Sequence, residues 1–567
     1  MTALPNASPA AAPPLPPLPD LNGIGRTDLR ARSAYAEAAG IFRIIPGAVS
    51  VPSTTAALRE LVLWAAHRRV PLIPRGAGSG MAGGNVGSGV MVDLTALDGC
   101  PLEIHPEVRL AYAGAGVTLR DLTEKAGEHG LRLPPDPSSA RFATLGGMVS
   151  TNAAGPRSVR SGSVRHWIEA VELITADGES LTLRRGAAPR HCAAVERFRR
   201  GVEPVLRAAR ETILDRFPRT RKNSSGYALD AWLSSGDLLD LIIGSEGTLA
   251  FVTGIEWRLV TVPSRYAGIR GALGTAEALG GLVPALRALD PSAIEFLDAT
   301  FLRFVGQADD AGAGLLMVEF EGDDAAALEE KVRSARRILA GHAESLLEAG
   351  DRRTLEKLWA IRHAASPLLA QLGENRRSMQ VIEDGCVPVE ALARYISAVR
   401  GAGERHGIEL VIFGHVGDGN LHVNLLPDVT APHWERRLAG IFEEVTEAVA
   451  ALGGTLSGEH GDGRLRARAI ESVYGPEITG LFRLVKEAFD PVGILNPGVK
   501  IPAVEDRPFG ALKVGAGAAT IPEDIEAGLR DIERFARYSV SRLDLADSPA
   551  DERRAAGDGP VPVLPHP

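Results

Sequence analysis

Two glycine-rich segments late in the chain hold histidine and carboxylate side chains close together in sequence. They read GHVGDGNLH and SGEHGDGR. Imidazole nitrogens and carboxylate oxygens suit zinc, manganese or iron, and three protein ligands with one open position are typical of a catalytic metal site. We therefore predict a divalent metal, zinc or manganese, held by His415, His422 and Glu459, with His460 as a base.

The elements around these segments are predicted to aim the side chains into one cavity. The residues before the first motif are apolar and β-prone and those after it alternate, which predicts a hairpin turning at Asp418 and Gly419. On its second strand, His422 and Asn424 share one face. The alternative is that these histidines cap turns or pair with carboxylates on a solvated surface. That alternative is favoured for one isolated histidine and disfavoured for the whole set.

Length and composition describe a globular protein with an ample core. The chain has 567 residues, of which 45% are hydrophobic and 23% charged. A formal net charge of −9 argues against a nucleic-acid partner, because phosphate binding needs a concentrated basic surface. We interpret the basic segment Arg216–Lys222 as a solvated or anion-facing loop. Three cysteines with no CxxC pair predict free thiols in a reducing compartment.

The chain is expected to divide into two domains with a tail at either end. We predict a disordered, proline-rich tail over 1–24, domains over 25–263 and 264–502, and an extension over 503–567 with a helix at about 521–545 and a disordered end. No secretory signal is recognised, and no segment reaches the roughly 18 apolar residues of a membrane span. We expect a cytoplasmic protein with no membrane span, and peripheral docking at the inner face of a membrane stays open.

Residue periodicity predicts an α+β protein. Strands are expected at Val70–Ile73, Val90–Leu94, Leu315–Glu319 and Leu410–Phe413. Helices are expected at Thr54–Arg69, Thr118–His129, Asp324–Leu339, Arg353–Leu372, Val389–Arg405 and His433–Leu452. Further apolar stretches, several of them strand-like, are Ala170–Thr175, Leu239–Ile243 and Leu249–Val260. A kink or break is expected at Pro367.

A glycine loop near the start of the first domain resembles a dinucleotide fingerprint but lacks its context. Gly78–Gly83 satisfies GxGxxG and follows a strand. GNVGSG comes next, and the following strand reaches Asp93 at once, so the crossover helix of a Rossmann fold does not fit. The loop instead offers backbone N–H groups, unobstructed by side chains, that can wrap a pyrophosphate.

Two more loops in the same domain support a phosphate-bearing cofactor. The loop over 134–155 adds Ser150 and Asn152 as side-chain donors, and GSEGT makes a third glycine turn before a strand. One such loop would be weak support, because glycine turns usually serve geometry. Three in one domain favour a large cofactor.

The motifs resemble a known flavoprotein family. PRGAGSG, PPDPSS, ATLGGMVSTNAAG and IIGSEGTL, in this order, resemble the FAD-binding domain of the vanillyl-alcohol oxidase type flavoproteins. GHVGDGNLH, SGEHGDGR and FDPVGILNPGVK are similar to the D-lactate, glycolate and D-2-hydroxyglutarate dehydrogenase branch. The resemblance covers roughly residues 25–501. It implies a two-part FAD-binding domain followed by an α+β FAD-linked oxidase C-terminal domain that binds substrate.

The resemblance implies which residues bind the cofactor. They are Arg75, Gly76, Ala77, Gly78, Ser79, Gly80, Pro135, Asp136, Ser138, Gly146, Gly147, Ser150, Asn152, Gly155, Glu246, Gly247, Val252 and Asn496. Covalent members of the superfamily often attach flavin to a histidine in the first or second loop. This chain has Ser79 in the first loop and no histidine in the second before His166, so we expect non-covalent FAD.

The same resemblance assigns substrate contacts and keeps the metal ligands and the base predicted above. It implies that Asn424 contacts substrate or a nearby water, and that Arg362, in LWAIRHAAS, grips the substrate carboxylate bidentately. Without the family, Arg362 would be interpreted as a helix-surface arginine. The 2-hydroxyglutarate members carry a lysine where Ile382 stands in VIEDGCVP. A monocarboxylate such as lactate or glycolate is therefore favoured, although another basic residue could compensate.

The implied function is oxidation of a small D-2-hydroxy acid to the 2-oxo acid. The metal would coordinate the hydroxyl and carboxylate oxygens, His460 would remove the hydroxyl proton, and hydride would pass to flavin N5. The alternatives are an alkylglycerone-phosphate synthase type FAD-dependent transferase and a flavin-free metal-binding protein.

The route of the electrons after flavin reduction depends on a partner. No cysteine follows Pro502 to hold an iron–sulfur cluster, so we expect a separate iron–sulfur protein, a quinone-linked chain, a soluble carrier or oxygen as the acceptor. The helix near 521–545 is expected to pack on the second domain rather than to dock a partner. Formation of a homodimer stays open.

Overall fold

The fold is known from a computed structural model that describes residues 15–307, 312–363, 369, 372–373, 375–503 and 509–547. The strands in chain order are β1 (Gly23–Arg26), β2 (Ala48–Pro52), β3 (Leu72–Arg75), β4 (Val90–Asp93), β5 (Leu102–His105), β6 (Leu110–Gly114), β7 (Leu131–Arg132), β8 (Ile168–Thr175), β9 (Ser180–Arg184), β10 (Ala250–Arg258), β11 (Val260–Thr261), β12 (Arg265–Leu273), β13 (Ala293–Asp298), β14 (Gly314–Gly322), β15 (Ala343–Ala349), β16 (Gly385–Cys386), β17 (Glu409–Gly414) and β18 (Asn420–Leu426).

Helices lie between and around these strands. The α-helices of the described residues are Leu29–Ala34, Thr55–Arg68, Leu119–Gly127, Leu145–Thr151, Ser158–Ser161, Ala193–Arg197, Glu203–Ala208, Arg210–Arg216, Leu229–Ser235, Leu239–Ile242, Leu279–Arg287, Ala299–Phe304, Ala325–Leu339, Arg352–His363, Leu392–His406, Trp434–Ala451, Gly463–Arg466, Ile470–Phe489, Glu523–Arg534 and Arg542–Asp547. Across the described ranges, none of them has both the length and the apolar content needed to cross a bilayer.

Three large sheets organise the part of the molecule that the structure describes, and β7 and β11 form a small fourth one. The first has the order β1-β2-β4-β3, and its last three strands are parallel. The second is antiparallel, in the order β5-β6-β10-β8-β9. The third has seven strands in the order β15-β12-β14-β13-β17-β18-β16 and forms the second domain. Mixed parallel and antiparallel sheets with helices confirm the α+β prediction.

Several predicted helices are confirmed, and their start signals explain their boundaries. The Thr54 side chain accepts a hydrogen bond from Ala57 N at the start of the helix Thr55–Arg68. Thr118 and Asp121 form a capping box at the start of the next predicted helix. Asp324 caps the helix Ala325–Leu339.

The residue pattern did not fix the element type at Leu239–Ile243. This stretch, one of three that were grouped as apolar and partly strand-like, forms the helix Leu239–Ile242, in which every residue is buried. A short, mostly apolar run does not distinguish a buried strand from a buried helix. The helix expected at Arg353–Leu372 is described over Arg352–His363, and the kink predicted at Pro367 lies outside the described residues.

The chain returns to the first domain after the second. The helix Ile470–Phe489 contributes buried Tyr474 and Phe482 to the core beneath the second sheet. Leu495 then pairs with Leu72 at the edge of β3. The boundary expected at residue 502 therefore does not follow the packing, because sequence order alone did not reveal this return.

The two ends of the described chain also pack on the first domain. Leu15, Leu18 and Leu21 pack against its core, so the part of the expected tail before β1 that the structure describes is packed rather than disordered. The single helix expected at about 521–545 is two helices, Glu523–Arg534 and Arg542–Asp547. The chain turns between them, where Ala536 has a left-handed φ of 50° that a helix excludes.

The C-terminal helices cover one face of the first sheet. Successive residues of a strand point to opposite faces. Val49, Ile73 and Met91 point towards the extension, where Ile525 and Leu529 join them in one apolar cluster. The opposite face packs against the helix Thr55–Arg68. The expectation that the helix at 521–545 packs on the second domain is therefore wrong. The segment before it does contact that domain, because Leu512 joins its core and the ring of Phe509 lies 5.7 Å from that of Phe442.

Candidate functional site

A cavity of about 2180 Å³ lies between the two domains. Ligand pockets usually measure about 300–1,000 Å³, so this one has room for a dinucleotide and a substrate together. Glycine loops of the first domain, the histidine motifs of the second domain and the C-terminal extension all line it.

Most of the residues predicted to bind FAD line this cavity. They are Arg75, Gly76, Ala77, Gly78, Ser79, Gly80, Ser138, Gly146, Gly147, Ser150, Glu246, Gly247 and Val252. Pro135, Asp136, Asn152, Gly155 and Asn496 are not among the lining residues. Asn152 accepts a hydrogen bond from Arg165 N, and Asn496 donates to the carbonyl oxygens of Gly84 and Glu246. The contacts of these two side chains are with the protein.

The first glycine loop is built around a buried arginine. The guanidinium of Arg75 donates to the backbone carbonyls of Tyr35, Glu37 and Asn85. Gly78 lies directly over that guanidinium with φ of 79°, and a Cβ there would lie 2.4 Å from Arg75 Nη2. The left-handed φ and this close approach favour glycine at the position, and the loop lines the cavity from Arg75 to Gly80.

Glu246 ties the third glycine turn to the second histidine motif. Its carboxylate accepts from the backbone N–H of Asp462 and of Gly463 and pairs with Lys500 at 3.2 Å. A Cβ on Gly461 would lie 2.6 Å from that carboxylate. The SGEHGDGR loop is therefore held against the first domain, at the boundary of the cavity.

The predicted hairpin presents the first two histidines. Strands β17 and β18 pair with Phe413 opposite His422, and a short 3₁₀ turn, Val416–Asp418, joins them. His415 begins this turn, and Gly419 has a left-handed φ of 77° at its end. His422 and Asn424 both line the cavity, as their shared strand face predicts, whereas His415 is buried behind them.

Three imidazoles converge on one carboxylate oxygen. Oε1 of Glu459 lies 3.1 Å from Nε2 of His415, 3.4 Å from Nε2 of His422 and 3.9 Å from Nε2 of His460. The rings of His422 and His460 stack with their centroids 5.1 Å apart. The four residues singled out in sequence therefore meet in space.

Asp384 is a near neighbour of this group that the sequence did not single out. Ligand atoms of Asp384, His422, Glu459 and His460 all lie within 4.8 Å of one another. However, the Asp384 carboxylate already accepts from Ser457 Oγ and from the backbone N–H of Glu459 and His460. Asp384 therefore fixes the conformation of the SGEHGDGR loop. The imidazole nitrogens and the Glu459 carboxylate remain as the groups that could bind a metal ion.

Glu383 fixes the orientation of two histidines. Its carboxylate oxygens lie 2.8 and 2.9 Å from Nδ1 of His460 and 3.3 Å from Nδ1 of His422, and Arg466 holds the same carboxylate at 3.2 Å. The other ring nitrogen, Nε2, of both histidines is thereby directed towards Glu459.

Two further buried groups were missed in the sequence. Glu295 accepts from Nδ1 of His415 at 2.6 Å, and Nζ of Lys222 lies 3.0 Å from Oε2 of Glu459. Lys222 belongs to the basic segment interpreted as a solvated or anion-facing loop. It faces an anion but is fully buried, so the solvated interpretation is wrong for this residue.

The charges of the cluster are balanced by protons and by lysine. Burial alone would raise the pKa of Glu459, but Lys222 and His415 outweigh it and hold that pKa well below its usual range. Burial alone would lower the pKa of His460, but the carboxylate of Glu383 outweighs it and raises the pKa to about 10. The donor set therefore attracts cations, and a divalent ion would take the place of the histidine protons.

Arg362 and Asn424, the remaining predicted residues, also line the cavity. Nε of Arg362 donates to Glu295 at 3.0 Å, and its guanidinium lies over the ring of Phe413. Its terminal nitrogens form no hydrogen bond with the described residues. Asn424 accepts from Ser378 Oγ at 2.8 Å, which orients its amide. Arg362 is thus held at a cavity wall with its fork available, rather than on a helix surface.

Comparisons with known proteins agree with this architecture. Residues 46–184 match a family described as FAD binding domain, and residues 273–499 match one described as FAD linked oxidases, C-terminal domain. The two matches lie in the first and the second domain respectively.

Curated relatives of similar sequence are oxidoreductases by name. D-lactate dehydrogenase of Archaeoglobus fulgidus is 31% identical over 456 residues, which cover 79% of this chain and 89% of the relative. Glycolate oxidase subunit GlcD of Bacillus subtilis is 29% identical, with 81% and 89% covered. D-2-hydroxyglutarate dehydrogenase of Escherichia coli is 30% identical, with 84% and 50% covered. The chain therefore spans about half the length of that last relative.

Solved structures share the fold at low identity. p-Cresol methylhydroxylase superposes with a TM-score of 0.63 at 15% identity, covering 85% of this chain and 95% of that one. Alkyldihydroxyacetonephosphate synthase superposes with a TM-score of 0.59 at 18% identity, covering 83% of each. With the domain matches and the relatives, this confirms the resemblance inferred from the motifs. The chain belongs to the FAD-linked oxidoreductases of the vanillyl-alcohol oxidase type, in the branch of the D-2-hydroxy acid dehydrogenases.

Proposed function

We propose that this protein oxidises a small D-2-hydroxy acid to the 2-oxo acid, with lactate or glycolate favoured. The observation that supports this most is that His422, Glu459 and His460 converge on the same cavity that the glycine loops line. FAD, bound without a covalent link, supplies a two-electron acceptor, and a divalent metal supplies a Lewis acid that lowers the pKa of the substrate hydroxyl.

His460 is the base in this proposal. Its Nδ1 is held by Glu383 and its ring lines the cavity, so Nε2 is the nitrogen that would take the hydroxyl proton. A divalent ion bound at Glu459 would lower the pKa of His460 by charge repulsion and leave Nε2 without a proton. A carboxylate that holds the remote nitrogen of a catalytic histidine fixes both the ring orientation and the tautomer. Arg362 orients the substrate carboxylate through its guanidinium fork, whose terminal nitrogens have no partner among the described residues, and Asn424 contacts substrate or a water beside it.

The metal ligands in the proposal are His415, His422 and Glu459. Nε2 of His415 and Nε2 of His422 lie 3.1 and 3.4 Å from Oε1 of Glu459. The carboxylates of Glu295 and Glu383 hold Nδ1 of His415 and of His422 respectively. Carboxylates behind metal-binding histidines are the usual way in which proteins orient such ligands. Zinc or manganese suits this mixed nitrogen and oxygen set.

Substrate size depends on the residues beside the motif VIEDGCVP. Ile382 stands where the 2-hydroxyglutarate members have lysine, and it does not line the cavity. Arg377 does line it, and its side chain forms no ion pair with the described residues. Lactate or glycolate remains favoured in the proposal, and Arg377 is the cation available to a second carboxylate.

The proposal sends the electrons to a separate acceptor, an iron–sulfur protein or a quinone-linked chain. Cys100, Cys192 and Cys386 are all free and lie far apart in the sequence. They do not form the four-cysteine set that an iron–sulfur cluster needs. A cytoplasmic location, with or without docking on a membrane, and a homodimer stay predictions.

Anaerobic flavin bleaching tests the proposal. The FAD-loaded protein is mixed with D-lactate, glycolate, D-2-hydroxyglutarate or L-lactate, and the flavin absorbance near about 450 nm is followed. We expect rapid bleaching by D-lactate or glycolate and much slower bleaching by L-lactate. Flavin that stays oxidised with every acid would contradict the proposal and favour the transferase alternative. Faster bleaching by D-2-hydroxyglutarate, lost in Arg377→Ala, would reassign the substrate.

A further inference from the structure

The C-terminal extension lies outside both family matches and yet reaches the cofactor cavity. The matched segments end at residue 499. Lys513, Arg537 and Tyr538 line the cavity together with the first glycine loop. The ring of Tyr538 lies 5.1 Å from that of Phe142, which belongs to the second loop and also lines the cavity. The extension therefore closes a wall between the two loops predicted to bind FAD.

Specific pairing fixes the extension in this position. Arg43 donates to Ala519 O and to Glu526, and Arg30 pairs with Asp524 at 2.6 Å. Together with the apolar contacts to Val49, Ile73 and Met91, these bonds make the extension an integral layer of the first domain.

A buried arginine of the extension lacks a counter-charge among the described residues. Arg542 is 4% exposed, and its Nε and Nη1 atoms form no hydrogen bond with that part of the chain. Within the described ranges it forms no ion pair. Burial, reinforced by the neighbouring Arg75 guanidinium, lowers the pKa of Arg542 to about 10. Its nearby carboxylate, Asp93, already accepts from Tyr35 and Thr95.

Arg75 and Arg542 are therefore neighbouring buried guanidinium groups, of which Arg75 lines the cavity and Arg542 lies behind it. The carboxylates near Arg75 are Asp93 and Glu37, and Glu37 is already paired with Arg43. Buried charges in proteins are normally paired. A dinucleotide whose pyrophosphate sits on the loop above Arg75 would supply the missing negative charge.

We propose that the extension is part of the FAD site, with Tyr538 as a wall of the dinucleotide end and Arg542 as a buried cation neutralised by the FAD phosphates. This inference rests on the FAD assignment above and makes no statement about the hydroxy acid.

The test is the affinity of the full-length apoprotein for FAD, measured by quenching of flavin fluorescence. Arg542→Gln removes the charge, Arg542→Lys keeps it, and Tyr538→Ala removes the wall. Val540→Ala is the matched control, because Val540 is 40% exposed and does not line the cavity. Full-length variants are used because deleting the extension would uncover the apolar face of the first sheet.

We expect Arg542→Gln and Tyr538→Ala to raise the Kd for FAD by about tenfold or more, as loss of one buried charge interaction or one contact surface would. Arg542→Lys and Val540→Ala should remain within about threefold of the parent. The Tm of the apoprotein should not fall in Arg542→Gln, because an unneutralised buried charge costs stability.

Two results would overturn the inference. One is a Kd for FAD that stays at the parent value in both Arg542→Gln and Tyr538→Ala. The other is an apoprotein Tm that falls in both arginine variants, which would give Arg542 a structural role only. A parent that binds FAD but is not bleached by any 2-hydroxy acid would instead contradict the proposed function and leave this inference intact.

Discussion

Replacement of Glu383 by glutamine tests how His460 is held. In the protein, one carboxylate lies 2.8 and 2.9 Å from Nδ1 of His460 and also pairs with Arg466 at 3.2 Å. Glu383→Gln keeps the shape and leaves one oxygen. Arginine can only donate hydrogen bonds, so Arg466 will bond to that oxygen. The amide N–H of the glutamine will then face Nδ1 of His460.

The tautomer of His460 then changes. Because Nδ1 of His422 lies 3.3 Å from the same carboxylate, the metal content of the variant is matched to that of the parent before rates are compared. An Nδ1 that accepts a hydrogen bond requires the proton on Nε2, and this nitrogen can no longer take a proton from the substrate. A positioned base contributes about 10²–10⁴-fold. The rate constant for flavin reduction should therefore fall by about that factor. The affinity for FAD should stay near the parent value, because Glu383 contacts the histidines and Arg466 rather than the glycine loops.

The assay is anaerobic stopped-flow reduction of the FAD-loaded protein at saturating D-2-hydroxy acid. Asp240→Asn is the control, because Asp240 is also a buried carboxylate paired with arginine and does not line the cavity. It should lower the Tm without lowering the rate constant. A Glu383→Gln protein that reduces its flavin within about threefold of the parent would refute the reasoning, since loss of a positioned base costs far more.

Three other perturbations follow from the same contacts. Arg362→Lys should lower kcat/KM by about 10–100-fold, because lysine cannot offer a carboxylate two parallel hydrogen bonds; an unchanged kcat/KM would contradict its role. Dialysis of the holoprotein against a chelator should abolish flavin reduction without releasing FAD, and zinc or manganese should restore it; full activity in protein shown to be metal-free by elemental analysis would exclude the metal. Lys222→Met should lower the free energy of unfolding of the metal-free protein by about 3–5 kcal/mol, because the Glu459 carboxylate is left buried without its partner. Added metal should restore part of the lost Tm. Equal losses of Tm with and without metal would argue against Glu459 as a metal ligand.

Local sequence patterns were sufficient for the parts of the site that are contiguous in the chain. The alternation of β18 placed His422 and Asn424 on one face, and the residues around Asp418 and Gly419 predicted the hairpin turn. The glycine loops were predicted as a cofactor cradle for the same reason, since an N–H-lined turn is a property of a few consecutive residues.

The supporting carboxylates and the lysine were not predictable in this way. Lys222 lies 237 residues from Glu459, and Glu383 lies 77 residues from His460, so no periodicity joins them. In the sequence, Lys222 and Glu383 are only charged residues within apolar or motif-bearing segments. Their partners become known only once the fold is known. The position of the extension was missed for a related reason, because an amphipathic helix does not specify which domain covers its apolar face.

The central claim is that His460 takes the substrate proton over the flavin, and the rate constant for anaerobic flavin reduction in His460→Ala measures this most directly. With metal and FAD bound in equal amounts in both proteins, the account predicts a fall of about 10²–10⁴-fold relative to the parent, the usual contribution of a positioned base. A variant that reduces its flavin within a few-fold of the parent would contradict the account.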